Sequence, residues 1–186
     1  IEPSPETAAV VEAIRGRQPE PAQDRVFAAV LFTDIVSSTP RTAELGDRSW
    51  RDLLDSHDAL VRRELEGCGG RLVKSTGDGV LATFDAPARA VRCALGIRDA
   101  VAALGLDLRA GIHAGEVERR GNDLTGIAVN IARRVCDSAG SGEVLTSRTV
   151  VDLVAGSGIA FEERGDAELK GVPGSWQLFA VGNEPL

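Results

Sequence analysis

Asp34 closes a short apolar run and opens a small-polar one, in Phe32-Thr33-Asp34-Ile35-Val36-Ser37-Ser38-Thr39. As local structure, Asp34 or Ser37 caps the helix that follows. As chemistry, Asp34 is a metal-binding carboxylate beside a helix start whose unpaired N–H groups favour an anion. Asp78 stands in Gly77-Asp78-Gly79 between two apolar runs, and Asp-Gly there predicts a type I′ hairpin turn. A tight turn also holds a carboxylate rigidly, so the two readings are compatible. If the strand before Asp34 pairs beside this hairpin, the two aspartates converge. Two carboxylates with few other protein ligands are the usual way of holding Mg²⁺ or Mn²⁺ together with phosphate oxygens.

Asn130 and Arg134 lie four apart in Ile127-Ala128-Val129-Asn130-Ile131-Ala132-Arg133-Arg134. On a helix they project from one face. An ordinary solvated face is the plain reading. Yet Asn130 is an isolated amide in a buried-looking stretch and needs a partner, and an arginine beside it can clamp phosphate oxygens. Other chemistries find no support. Lys74-Ser75 follows Val73 where a phosphate-binding loop needs glycine, and the segment reads as a strand. His57 and His113 form no zinc cluster and read as packing or surface residues. No local Ser-His-Asp motif occurs.

The elements that must position these groups follow from periodicity. Val26–Thr33 reads as a strand buried on both faces. A helical region runs from after Pro40 to about Glu66, carrying Trp50, Leu53, Leu54, Leu60, Val61 and Leu65 inward, and Cys68-Gly69-Gly70 stops it. Arg71–Ser75 and Gly79–Phe84 are hairpin strands, Pro87–Leu104 is an Ala-rich helix, and Leu106–His113 alternates as a strand. Gly121–Asp123 reads as a loop before a helix at Gly126–Ser138, with Ile127, Val129, Ile131, Ala132 and Val135 inward. Strands at Glu143–Thr146, Ile159–Glu163 and Trp176–Val181 and a helix at Arg148–Val154 complete the chain. The fold class is therefore α+β: a ferredoxin-like βαββαβ core with a C-terminal α/β extension. Crossover helices cover one face of the sheet, and the other face calls for something else, such as a second subunit.

The chain has 186 residues, 43% hydrophobic and 26% charged, enough for one packed domain. Its net charge of −7, from 21 Lys+Arg against 28 Asp+Glu, argues against sequence-independent nucleic-acid binding. No apolar run reaches the ~18 residues of a membrane helix. Three widely spaced cysteines, Cys68, Cys93 and Cys136, suit a reduced, cytoplasmic location better than a disulfide framework. Residues 1–24 hold half of the eight prolines, with a short helix expected near Glu6–Arg15 and then a Pro-rich linker. Residues 25–186 form the folded domain. A linker at the start of a chain with no Met at all points to an upstream domain.

Five segments in order, FTDIVSST (32–39), LVKSTGDGVLATF (72–84), LRAGIHAGEV (108–117), DLTGIAVNIARRV (123–135) and ELKGVPGSWQLF (168–179), together resemble the class III nucleotidyl cyclase catalytic domain, especially its bacterial and actinobacterial branch. The resemblance spans about Arg25 to Val181. It implies that Asp34 and Asp78 bind two divalent metal ions, Mg²⁺ or Mn²⁺. It implies that Lys74 and Asp123 read the purine, that Asn130 places the ribose and that Arg134 stabilises phosphate charge. Lys170 and the backbone of Ile35, Val36, Ser37, Ser38 and Thr39 would meet the phosphates. It further implies an adenylate cyclase converting ATP to cyclic AMP and pyrophosphate in two shared sites of a head-to-tail homodimer. Guanylate cyclase activity, or a catalytically silent nucleotide-binding dimerisation module, are the alternatives. The base pair argues for ATP: Lys74 only donates and Asp123 accepts, matching adenine N1 and N6, whereas guanine reverses both.

Overall fold

The computed structural model describes residues 24–182. The expected helix near Glu6–Arg15 and the Pro-rich linker lie outside the described residues. The elements are β1 (Asp24–Ile35), α1 (Ser38–Leu45), α2 (Asp47–Cys68), β2 (Arg71–Ser75), β3 (Gly79–Phe84), α3 (Pro87–Ala102), β4 (Leu108–Arg120), β5 (Asp123–Thr125), α4 (Ile127–Ser138), β6 (Val144–Ser147), α5 (Arg148–Leu153), β7 (Phe161–Glu168) and β8 (Ser175–Val181). They build one sheet in the order β2-β3-β1-β4-β6-β8-β7, with β5 paired to β4 alone. The first four strands follow the ferredoxin-like βαββαβ order, and β6 to β8 extend the sheet beyond β4, as the sequence pattern predicts.

β1 has no polar alternation because both of its faces are buried. Ala29, Leu31 and Ile35 face α2 and α3, together with Val61, Leu65, Val91, Ala94 and Ile97. Ala28, Val30 and Phe32 face the other way, against Ala128, Val129, Ala132 and Cys136 of α4. The second face of the sheet at β1 is thus covered by a helix of the same chain, and not by a second subunit as the sequence reading suggested. Gly111 on β4 permits it: a Cβ there would lie 2.1 Å from the Cys136 nitrogen, so the helix backbone rests directly on the strand.

The helical region after β1 is two helices, broken at Gly46, whose φ of 75° suits glycine. The second ends as the Cys68-Gly69-Gly70 signal predicts. Gly69 is left-handed, its N–H meets Glu66 O, and Gly70 N–H meets Leu65 O, a paired closure of the last turn. Ile127, expected inward, is 54% exposed at the first position of α4.

The β2–β3 connection is not a type I′ turn on Asp78-Gly79. Only Gly77 has a positive φ, 93°, and Thr76 closes the turn with its N–H and its hydroxyl on Gly79 O, at 2.8 and 3.1 Å. Gly79 is required for a different reason. It pairs across from Asp34, and a Cβ there would lie 2.1 Å from the Thr33 carbonyl oxygen. The first residue of β3 is pressed against the end of β1, and Val80 N–H reaches Thr33 Oγ1 at 3.2 Å.

His113 on β4 is buried; its Nδ1 lies 2.7 Å from Ser147 Oγ and its ring meets Trp176 edge-on, centroids 5.6 Å apart. It is a packing residue, as expected of a lone histidine. Burial lowers its pKa to about 4.

Two predictions follow from this packing. The unfolded chain takes up the His113 proton near pH 6.5 and the folded chain only near 4. The stability that neutral His113 supplies is therefore complete above pH 6.5 and is lost as pH falls towards 4, amounting to about 3 kcal/mol. His113→Gln should flatten that part of the profile, measured as urea midpoints of both proteins from pH 7 to 4.5; parallel curves would refute it. Gly79→Ala should cost roughly 2 kcal/mol or more, since a backbone oxygen cannot move aside as a side chain can. Thermal unfolding checks this, and an unchanged Tm would contradict the close contact.

Candidate active site

The β1–β3 contact brings the two aspartates together. Asp34 is opposite Gly79, and Ile35 N–H donates to the Asp78 carbonyl at 2.8 Å. Asp78 Oδ2 accepts from Ser38 Oγ, at the first position of α1, at 3.1 Å. Between them the chain turns through Ser37, the one non-glycine residue with positive φ among the described residues, at 58°. Such strain persists only where the surroundings impose it. The N–H groups of Ile35 and Val36 are bonded to Asp78 O and Asp107 O. Of the stretch 35–39 expected to meet phosphates, the donors at the start of α1, from Ser37 to Thr39, are the ones not used in these two bonds.

Arg109, which the sequence reading passed over, completes this end of the site. It lies opposite Asp34 on β4. Its Nε and Nη2 both donate to Asp34 Oδ2, at 2.8 and 2.5 Å, and its Nη1 reaches the Asp137 carbonyl at 3.3 Å. Burial pulls the guanidinium pKa down, but the hydrogen bonds and charge of Asp34 outweigh it and leave Arg109 above the ordinary arginine value. The signal was available: an arginine inside an otherwise apolar alternating strand needs a buried counter-charge. Cys136 lies behind this pair; burial first, then the Asp34 charge, pushes its thiol up to about 12. It is a neutral packing residue, not a nucleophile.

Lys74 and Asp123 are both exposed, on β2 and β5. Their chain neighbours Val73 and Leu124 pack into one apolar cluster with Phe32 and Val117. A register shift in β2 between Leu72 and Lys74 accompanies this packing. Asp123 Oδ1 accepts the Leu124 N–H at 2.9 Å, which orients the carboxylate.

Asn130 is exposed, not an amide buried in the apolar stretch. The apolar neighbours that made the segment look buried belong to the opposite side of α4. Arg134, one turn on, is held at two nitrogens: Nε donates to Lys170 O and Nη1 to Asp137 Oδ2, each at 2.9 Å. The structure thus brings Arg134 to the backbone of Lys170, whose side chain is exposed. It does not bring Arg134 onto Asp34; Arg109 and Asp137 stand between them.

The donor chemistry fits a hard divalent cation. Asp34 and Asp78 supply carboxylate oxygens at adjacent strand ends, next to a helix start suited to an anion. Among the described residues no group of three or more His, Cys, Asp or Glu gathers, so any cation held here needs further oxygens from a ligand.

The family model described as the adenylate and guanylate cyclase catalytic domain matches residues 20–183. An uncharacterized protein of Mycobacterium tuberculosis is 34% identical over 131 residues, which is 69% of this chain and 35% of that protein. A Streptomyces coelicolor protein named adenylate cyclase is 33% identical over 119 residues, 63% of this chain and 31% of that protein. The chain spans about a third or less of the length of the curated relatives it matches. In fold, it is similar to the crystal structure of the adenylyl cyclase CyaB from P. aeruginosa, with a TM-score of 0.81 at 23% identity, covering 87% of this chain and 96% of that one. With a family match that covers all of the described residues, the chain belongs to the adenylate and guanylate cyclase catalytic domain family.

Proposed function

We propose that this domain is an adenylate cyclase, converting ATP to 3′,5′-cyclic AMP and pyrophosphate. The observation that carries the reading is the pair Asp34 and Asp78, fixed side by side where β1 meets β3. Asp34 and Asp78 would hold two divalent cations, Mg²⁺ or Mn²⁺, competing with Arg109 for Asp34 Oδ2. Bound there, the cations supply activation of the ribose 3′-hydroxyl and offset charge on the departing phosphates. The chain's own groups do the rest. N–H groups at the start of α1, with Lys170, bind phosphate oxygens. Asn130 orients the ribose so that its 3′-oxygen faces the α-phosphorus in line with the leaving group. Arg134 offsets the charge that grows in the transition state, a contribution of ~3–4 kcal/mol for a well-placed donor.

Selection of ATP rests on Lys74 and Asp123. Lys74 donates to adenine N1 and Asp123 accepts from N6. Guanine would leave both mismatched, at about 1–3 kcal/mol for each stranded group. The bond from Leu124 N–H to Asp123 Oδ1 supports this role by fixing the acceptor's direction. We further propose a head-to-tail homodimer, Asp34 and Asp78 of one protomer meeting Lys74, Asp123, Asn130 and Arg134 of the other. The resemblance set out above, in which two such domains meet head to tail, supports this division. The free thiols Cys68, Cys93 and Cys136 support a cytoplasmic setting, and no helix among the described residues is long and apolar enough to cross a membrane. A domain boundary near residue 25 and a further domain upstream complete the proposal.

The direct test is cyclic nucleotide formation from ATP and from GTP with Mn²⁺, where ATP should be preferred. Exchanging Lys74 and Asp123 together for Glu and Cys should weaken ATP turnover; an unchanged rate would remove them from base reading. Asp34→Ala and Arg134→Ala should each be nearly inactive as homodimers. Mixed in equal amounts and allowed to exchange subunits, they should regain roughly a quarter of wild-type activity, because half the dimers are mixed and each has one intact site of two. A mixture shown to contain heterodimers but as inactive as its parents would overturn the shared-site arrangement.

A further inference from the structure

We infer that Asp137 is a positioning residue for Arg134; the inference rests on the cyclase reading above. Asp137 is in the last turn of α4, four residues after Arg133 and three after Arg134. Its carboxylate takes one arginine on each oxygen: Arg133 Nε lies 3.2 Å from Oδ1 and Arg134 Nη1 2.9 Å from Oδ2. Its backbone carbonyl accepts from Arg109 Nη1. Three guanidinium groups therefore meet at one residue; Asp34 answers the charge of Arg109, and the Asp137 carboxylate answers Arg133 and Arg134 together.

The consequence for Arg134 is directional. A free arginine side chain samples many rotamers. Here Nε is tied to Lys170 O and Nη1 to Asp137 Oδ2. Two bonds to neighbouring nitrogens fix the plane of the fork and leave the Nη2 edge outside both contacts, while Arg133 is drawn aside over the Phe32 ring, 5.7 Å from its centroid. Asp137 thus decides which of two adjacent arginines presents its charge to substrate, and in what orientation. As plain helix-surface ion pairs these contacts would do little for stability, so a structural role and a positioning role give different results on mutation.

The test is steady-state kinetics of the full chain with ATP and Mn²⁺, alongside thermal unfolding. Asp137→Ala should lower kcat about tenfold with KM for ATP within about twofold, because the lost orientation matters most in the transition state. Tm should stay close to wild type. Asp137→Glu, which keeps the charge, should restore most of kcat, and Asp137→Asn should not. In an Arg134→Ala background, Asp137→Ala should cost nothing further, because it acts through Arg134. Independently of activity, exchange of the Arg134 Nε–H observed by NMR should speed up in Asp137→Ala. An active wild type with unchanged kcat in Asp137→Ala, or an equal loss in the Arg134→Ala background, overturns the positioning role alone. A well-folded wild type making no cyclic nucleotide from ATP or GTP overturns the cyclase reading, and this inference with it.

Discussion

Everything at the candidate site depends on how closely β3 approaches β1 at Gly79. The absence of a side chain lets the Thr33 carbonyl lie where a Cβ would otherwise stand. That contact sets the register in which Asp34 faces Gly79 and Ile35 N–H meets Asp78 O. Two carboxylates from residues 44 positions apart become neighbours because their backbones are bonded, not because their side chains attract; as like charges they repel. The strand pairing, held by a core on both faces of β1, supplies the fixed framework that the proposed cation-binding pair would require.

Electrostatics then organise the opposite side of the pair. Asp34 is answered by Arg109, Arg109 reaches Asp137, and Asp137 gathers Arg133 and Arg134. A chain of net charge −7 thus concentrates three of its cationic groups around the end of α4. The helix comes this close because Gly111 and Cys136 meet backbone to backbone, with no room for a side chain on the strand. Two glycines on two strands therefore have parallel duties: Gly79 joins the aspartates, and Gly111 brings the arginine-bearing helix onto the sheet beside them.

The C-terminal extension ties in through the same helix. Ile131, Val135 and Ala139 pack with Leu145, Leu169, Val172, Leu178 and Ala180. This cluster carries the Leu169–Val172 segment to α4, where Arg134 bonds the Lys170 carbonyl. Apolar packing brings the segment near, and one hydrogen bond sets its relation to the arginine.

Local pattern in the sequence by itself determined the ferredoxin-like core, the Gly69 helix stop and the residue types proposed to meet phosphate and cation. These are properties of periodicity, turn chemistry and side-chain charge over short spans. Asp-Gly was misread as a type I′ turn, because a glycine demanded by close approach looks identical to one demanded by a positive φ. Asn130 was misread as buried because its immediate neighbours from Ile127 to Ala132 are apolar, while packing on β1 and β4 decides which side of α4 faces inward. Arg109 was passed over because its partners Asp34 and Asp137 are 75 and 28 residues away. Which carboxylate an arginine answers, which side of an apolar helix meets the sheet, and which backbone atoms touch are fixed by the juxtaposition of distant strands, and only the tertiary structure decides them.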